Sequence, residues 1–251
     1  MLIVLVMLLA GDGEIPARMD WESPRAEVPL LDLQSGHWHL GLAASAQARV
    51  SIPFGTADPG VVRVNGNVIT IDHRVDYLDL FNPGLGVTLE ADVLSRPPDR
   101  PAYARETALG GYVAAEWDWF GGTSADADPG VRIRPDSLEL ASFLVGFKAE
   151  GGIEGPLYGD FRAGLGAVHY PSLQADFAPA GFPASRGELF AESWAFAMEV
   201  RLHFGWREGP LGVFFGFGTR ILAPPARGAN SPLDPGLLFL LDFEVGMELG
   251  F

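Results

Sequence analysis

The chain has no cysteine and, among 251 residues, a single lysine, Lys148. Without cysteine there is no disulfide, no thiolate nucleophile, no cysteine metal site and no cysteine-borne lipid anchor. Past the first ten residues no run of about twenty apolar residues occurs, so a helical membrane span is not expected. Positive charge is scarce: the formal net charge is −15. Such a field repels phosphate backbones, and neither nucleic-acid binding nor docking on anionic lipid through a basic patch is expected. The phosphate-cradling, zinc-protease and nucleophile-elbow motifs (GxxxxGK[ST], HExxH, GxSxG) are absent as well.

What remains is 48% hydrophobic, and that content falls in short alternating segments. The 32 glycines and 20 prolines could indicate disorder, but the 11% aromatic content and the regular alternation favour a turn-rich sheet protein. The clearest segment is 239–251. Phe239, Leu241, Phe243, Val245, Met247, Leu249 and Phe251 fall on one side, and Asp242, Glu244, Gly246, Glu248 and Gly250 on the other. A period of two is a strand with one greasy and one polar face. The same pattern recurs at 37–47, 85–94, 109–119, 139–150, 158–169, 190–204 and 211–221. The tally is about eight strands, the smallest even count for transmembrane barrels.

The connectors alternate in length. Residues 151–157 and 205–210 are short. Residues 48–81, 120–138, 170–188 and 222–238 are long and, in the last three, rich in Ala, Asp, Pro and Gly. Short turns on one side and long loops on the other are what a transmembrane barrel shows. Residues 95–107 depart from this scheme unless strand extension shortens them to a turn around 97–101. Within 48–81, Asn65-Gly66 separates Val61–Val64 from Asn67–Thr70, a hairpin signal. Residues 1–10 form an apolar run read as the h-region of a secretory signal, although it lacks a charged n-region; a buried strand or helix is the competing reading. Residues 11–35 read as a linker, and 36–251 as the barrel.

Alternation alone does not say which face is inside. Lys148, Arg162, Arg201 and Arg220 all lie on polar strand faces, and a lysine or arginine facing lipid near the midplane costs about 2–4 kcal/mol. Trp117, Trp119, Phe204 and Phe251 fall near strand ends on the apolar face, as in an aromatic girdle. The expected fold class is therefore all-β, a transmembrane antiparallel up-and-down barrel of about eight strands in the cell outer membrane. A soluble ligand-binding barrel is the alternative.

The strand tally, the terminal aromatic strand and the suspected signal resemble small Gram-negative outer-membrane barrels of the OmpA-transmembrane, OmpW and opacity-protein type. The acidic, leucine-containing stretch before the second strand (71–80) is similar to one found in some OmpW-like barrels. The resemblance implies that Val245, Met247, Leu249 and Phe251 act as a barrel-assembly signal. It also implies outer-membrane lipid and the barrel-assembly machinery as partners.

The charges of the polar face form the candidate site: Glu90, Asp92, Glu116, Asp118, Glu150, Glu199, Asp242, Glu244 and Glu248 against Lys148, Arg162, Arg201, His203 and Arg220. One reading is an ion-pair network that plugs the lumen. The other is a narrow, porin-like passage favouring cations, which the excess of acid supports. His169 and Ser172 raise the alternative of a lipid-modifying barrel enzyme, although Pro171 interrupts that stretch and their spacing matches no such motif. His37 and His39 share a strand face without a third metal ligand. Asp126 with Asp128 in a turn-like loop, and Asp72, Asp76 and Asp79, offer oxygens without a calcium-loop pattern. No catalytic, metal or cofactor site is expected, and the oligomeric state is not legible.

Overall fold

The computed structural model describes residues 39–64, 67–96, 108–128, 130–154, 156–229 and 231–250. Eight long strands carry the fold: β1 (His39–Phe54), β2 (Gly84–Arg96), β3 (Ala108–Phe120), β4 (Leu138–Glu154), β5 (Leu157–Tyr170), β6 (Ser193–Glu208), β7 (Leu211–Leu222) and β8 (Leu238–Gly250). Each pairs antiparallel with its sequence neighbour, and β8 returns to β1 through a ladder running from Ala43↔Gly250 to Phe54↔Phe239. The sheet is therefore a closed barrel with no free edge, which satisfies the backbone of every stave internally, as a bilayer demands.

The eight segments predicted from alternation correspond to the eight staves, with different ends. Most staves run beyond the predicted bounds, so the β6–β7 connection shrinks to a tight turn in which Gly209 takes φ +60°. The predicted 190–204 strand is really two elements. Ser185–Ala191 belongs to a separate sheet, and β6 begins at Ser193. Phe190 is accordingly buried in a core, whereas Trp194 faces outward.

Along every stave, burial alternates. Outward positions carry Leu42, Val50, Leu89, Val113, Phe143, Val145, Leu165, Phe196, Phe215, Phe243, Val245 and many like them, all exposed. Among the described residues, no lysine or arginine occupies an outward stave position; Glu139 and His169 near one end and Glu208 at the other are the titratable exceptions. The inward positions hold the charges, which are buried. A soluble barrel would invert this distribution, so the fold is of the transmembrane type. Trp117, Trp119 and Trp194 ring one end of the apolar belt and Phe204 and Trp206 the other, the placement of aromatic girdles.

The long connections are not loops, contrary to their sequence reading. Strands from three of them build a five-stranded sheet in the order Ala226–Arg227, Ser185–Ala191, Leu173–Pro179, Val131–Pro135, Ala125–Asp128. Thr56–Pro59 pairs with both Leu233–Pro235 and Val75–Asp76, and the predicted hairpin forms between Val61–Val64 and Asn67–Thr70. Its turn, 65–66, lies outside the described residues. A single helical turn, α1 (Tyr77–Leu80), lies in the same connection. Phe81, Ile133, Leu173, Phe177, Leu189, Phe190 and Leu233 share one apolar core with the uppermost inward residues of the barrel, Leu138, Leu140, Val168, Leu222, Leu238 and Leu240. This core caps the loop end. Tyr77 donates to the Gly236 carbonyl at 3.0 Å, and burial pushes its phenol well above the usual value.

The expected signal (1–10), the linker (11–35) and most of the 95–107 connector lie outside the described residues.

Truncating Phe177, which is fully buried in the cap, should cost about 3–5 kcal/mol. Limited proteolysis of Phe177→Ala in detergent should cut the loop end first, while the heat-modifiable gel shift of the folded barrel persists.

Candidate functional site: the charged interior

The inward face of the staves places charge from strands far apart in sequence into one interior. Its group nearest the loop end centres on Arg220 of β7. The Arg220 guanidinium donates to Asp242 at 2.7 and 3.0 Å, to Asp118 at 2.7 and 3.1 Å, to Glu116 at 2.9 Å and to the Ser51 hydroxyl at 3.2 Å. Arg49 of β1 approaches the same acids from the other side. It donates to both Asp118 oxygens at 2.8 Å and to Thr88 at 2.7 Å, with Glu116 at 2.9 Å.

A middle group follows. Arg201 is paired with Glu116 and Glu199 and stands 3.5 Å from Glu244. The Tyr112 hydroxyl donates to Glu199 at 2.5 Å. His203 stands between two carboxylates, with Nε2 2.7 Å from Glu244 and Nδ1 3.3 Å from Asp160. Arg162 pairs with Glu90 and, at 2.8 Å, with Asp160.

The third group lies toward the short turns. Lys148 pairs with Asp92 and, at 3.0 Å, with Glu248. Arg207 bridges Glu150 and Glu248, its guanidinium 4.4 Å from the centre of the Tyr158 ring.

Small residues make room for these side chains. A methyl group added at Gly216 would overlap the His203 ring, and one at Gly164 would overlap the Tyr112 hydroxyl. Glycine on one stave therefore faces a large polar side chain from another, and the interior is filled by side chains.

All fourteen residues of the expected lumen set, His203 included, lie on inward positions, and the chain brings them together in these three groups. Arg49, Asp160, Arg207 and Tyr112 are members that sequence reasoning left out. Arg49 continues the alternation of 37–47 past its assigned end, and Arg207 that of 190–204, so extending either strand would have found them. Asp160 lies within the predicted 158–169 strand, two residues from Arg162 and on the same face.

The other candidates are dispersed. His169 faces outward, with Nε2 3.2 Å from Glu192, whereas the Ser172 hydroxyl donates to Glu188 at 2.7 Å. Each thus engages a different glutamate. Asp126 lies on a cap strand and accepts from Arg132 at 3.1 Å, so its stretch is not the turn-like loop expected; pairing with Val131–Pro135 makes it a strand. Asp76 caps α1 through its backbone conformation without a side-chain hydrogen bond, Asp79 lies in the helical turn, and Asp72 precedes both. Among the described residues no cluster of His, Asp or Glu is arranged to hold a metal ion. Val245, Met247 and Leu249 of the expected assembly signal face outward and are exposed. Phe251 and His37 lie outside the described residues, and of His39 only its place at the start of β1 is described.

No protein-family model matches the chain. No curated protein matches it either. Among solved structures it is similar to Neisserial surface protein A (NspA), with 10% identity over 84% of this chain and 97% of that one and a TM-score of 0.39. It is similar to Ail, the attachment invasion locus protein of Yersinia pestis, with 10% identity, coverage of 84% and 98%, and a TM-score of 0.39. A more distant likeness is to the outer membrane protease OmpT from Escherichia coli, with 8% identity, coverage of 87% and 99%, and a TM-score of 0.22. The closed ladder and the inside-out distribution of side chains define the fold of this chain independently of these likenesses.

Removing one member of a buried ion-pair set leaves its partners uncompensated, at a cost of about 3–5 kcal/mol. Arg220→Met should lower stability by that amount in urea unfolding of the vesicle-inserted protein, followed by tryptophan fluorescence. Gly216→Leu should cost about 1–3 kcal/mol through overpacking against His203.

Proposed function

We propose that the protein is an integral outer-membrane barrel without catalytic activity, closed to solute, whose role is to hold the ordered cap of its long connections at the cell surface. The observation that carries this reading is the double closure of the interior. Arg49, Lys148, Arg162, Arg201 and Arg220 have fully buried side chains held by carboxylates, and the loop end above them is sealed by the apolar core. An ion entering from the short-turn side would have to break several charge-assisted pairs and then cross an apolar plug, where no polar group replaces its hydration shell.

The outer-membrane assignment is supported by the uncharged belt and its aromatic girdles, and the surface position of the cap by the usual placement of long connections in such barrels. Lipid contacts the belt, and Val245, Met247, Leu249 and Phe251 serve as the recognition edge for barrel assembly. The lack of a nucleophile–base pair between Ser172 and His169 favours this role over lipid modification.

Planar-bilayer recording of the refolded protein should show no conductance above the bare membrane. Steady, cation-selective current from the native chain would reject the closed reading. Turnover of membrane lipid that disappears in His169→Ala or Ser172→Ala would reject the non-catalytic one.

A further inference from the structure

One row of outward residues near the loop end differs from the rest of the belt. In register across four staves lie Trp117 of β3, Ala141 of β4, His169 of β5 and Trp194 of β6. Ala141 has the smallest side chain of the row, so the outward surface dips between Trp117 and His169 into a shallow recess. Phe143, two residues along β4, lies below it, with its ring centre 6.3 Å from that of Trp194. The His169 ring lies 4.9 Å from the Trp194 ring.

Two carboxylates border this recess. Glu139 faces outward two residues above Ala141, in register with Trp119. Glu192 holds His169 Nε2 at 3.2 Å and is itself 71% exposed on its side chain. Trp194 is 61% and Trp117 37% exposed. Among the described residues no lysine or arginine lies on the outward stave face to neutralise these acids. Aromatic faces and carboxylates at a membrane boundary, with His169 beside Glu192 but no lysine or arginine on the outward stave face among the described residues, suit an organic cation: the ring quadrupole and the acid attract the same charge, and the apolar belt below accepts acyl chains.

We propose that the recess over Ala141, walled by Trp117, His169 and Trp194 and bordered by Glu139 and Glu192, binds the ammonium-bearing headgroup of a membrane amphiphile. The inference rests on the lipid-facing reading of the belt. Lipid is the occupant because the recess is continuous with that belt and its acids complement an ammonium group.

The test uses the full chain refolded into vesicles, extracted in neutral detergent and offered equal amounts of short-chain phosphatidylethanolamine and phosphatidylglycerol, with retained lipid counted by native mass spectrometry. The expected result is retention of the ethanolamine lipid by about five- to tenfold over the glycerol lipid. That preference should fall to near parity in the double variant Glu139→Gln/Glu192→Gln and weaken several-fold in Trp194→Ala. All these positions are exposed, so the heat-modifiable shift of the folded barrel should persist in each variant. Equal retention of both lipids by the native chain, or a preference untouched by the double variant, would mean an aromatic girdle without headgroup selection and would overturn the inference alone. Failure of the native chain to enter vesicles would overturn the lipid-facing reading and this inference with it.

Discussion

Arg220 sets the condition that the rest of the barrel obeys. A guanidinium removed from water must be surrounded by acceptors, and Arg220 finds them on β1, β3 and β8 at once, in Ser51, Glu116, Asp118 and Asp242. Satisfying it fixes which face of each of those staves points inward. Once inward parity is set, every intervening residue points outward, and the belt acquires its uninterrupted apolar surface as the complement of the charged interior. The pairing of β8 with β1 then leaves no unpaired edge in hydrocarbon.

The interior has two parts with different physics. Toward the short turns it is a network of acids and bases spaced by glycine. Toward the loop end it becomes apolar, merging into the core that the cap strands complete. An ion-pair network of this kind is poor evidence for net stability, since well-packed apolar residues of similar volume would do as well. Its effect is specificity: a stave slipped by one residue would turn charges such as Glu116 and Asp118 toward lipid. The apolar plug extends the barrel into a small domain beyond the membrane belt and keeps the long connections in sheets.

Much of this was legible in the residues. Period-two alternation located all eight staves, and the consistent placement of Lys148, Arg162, Arg201 and Arg220 opposite the bulky residues identified the inward face. Stave ends were less legible: the alternation runs on past 47 and past 204, where the predicted strands stop, and Arg49 and Arg207 were lost for that reason. Of the long connections only the hairpin of Val61–Val64 with Asn67–Thr70 was legible; the sheet of the cap was not. Its strands are as short as Ala226–Arg227 and Ala125–Asp128 and rich in residues that favour turns, and the sheet is completed by pairings between connections, such as Ala226–Arg227 with Ser185–Ala191 and Leu173–Pro179 with Val131–Pro135. No local pattern encodes a strand whose partner lies in another connection and whose stability comes from a shared core.

By itself the sequence determined the class of object: a chain with alternating faces, charge confined to one of them and no long apolar run has a closed sheet as its solution in a bilayer. That follows from local periodicity and from the energetic cost of charge in lipid, both readable residue by residue. Only the tertiary structure decided which acid meets which base, that the lumen is filled, and that the loop end is sealed by an apolar core. Those outcomes depend on the relative height of staves around the barrel, a property of closure that no single strand carries.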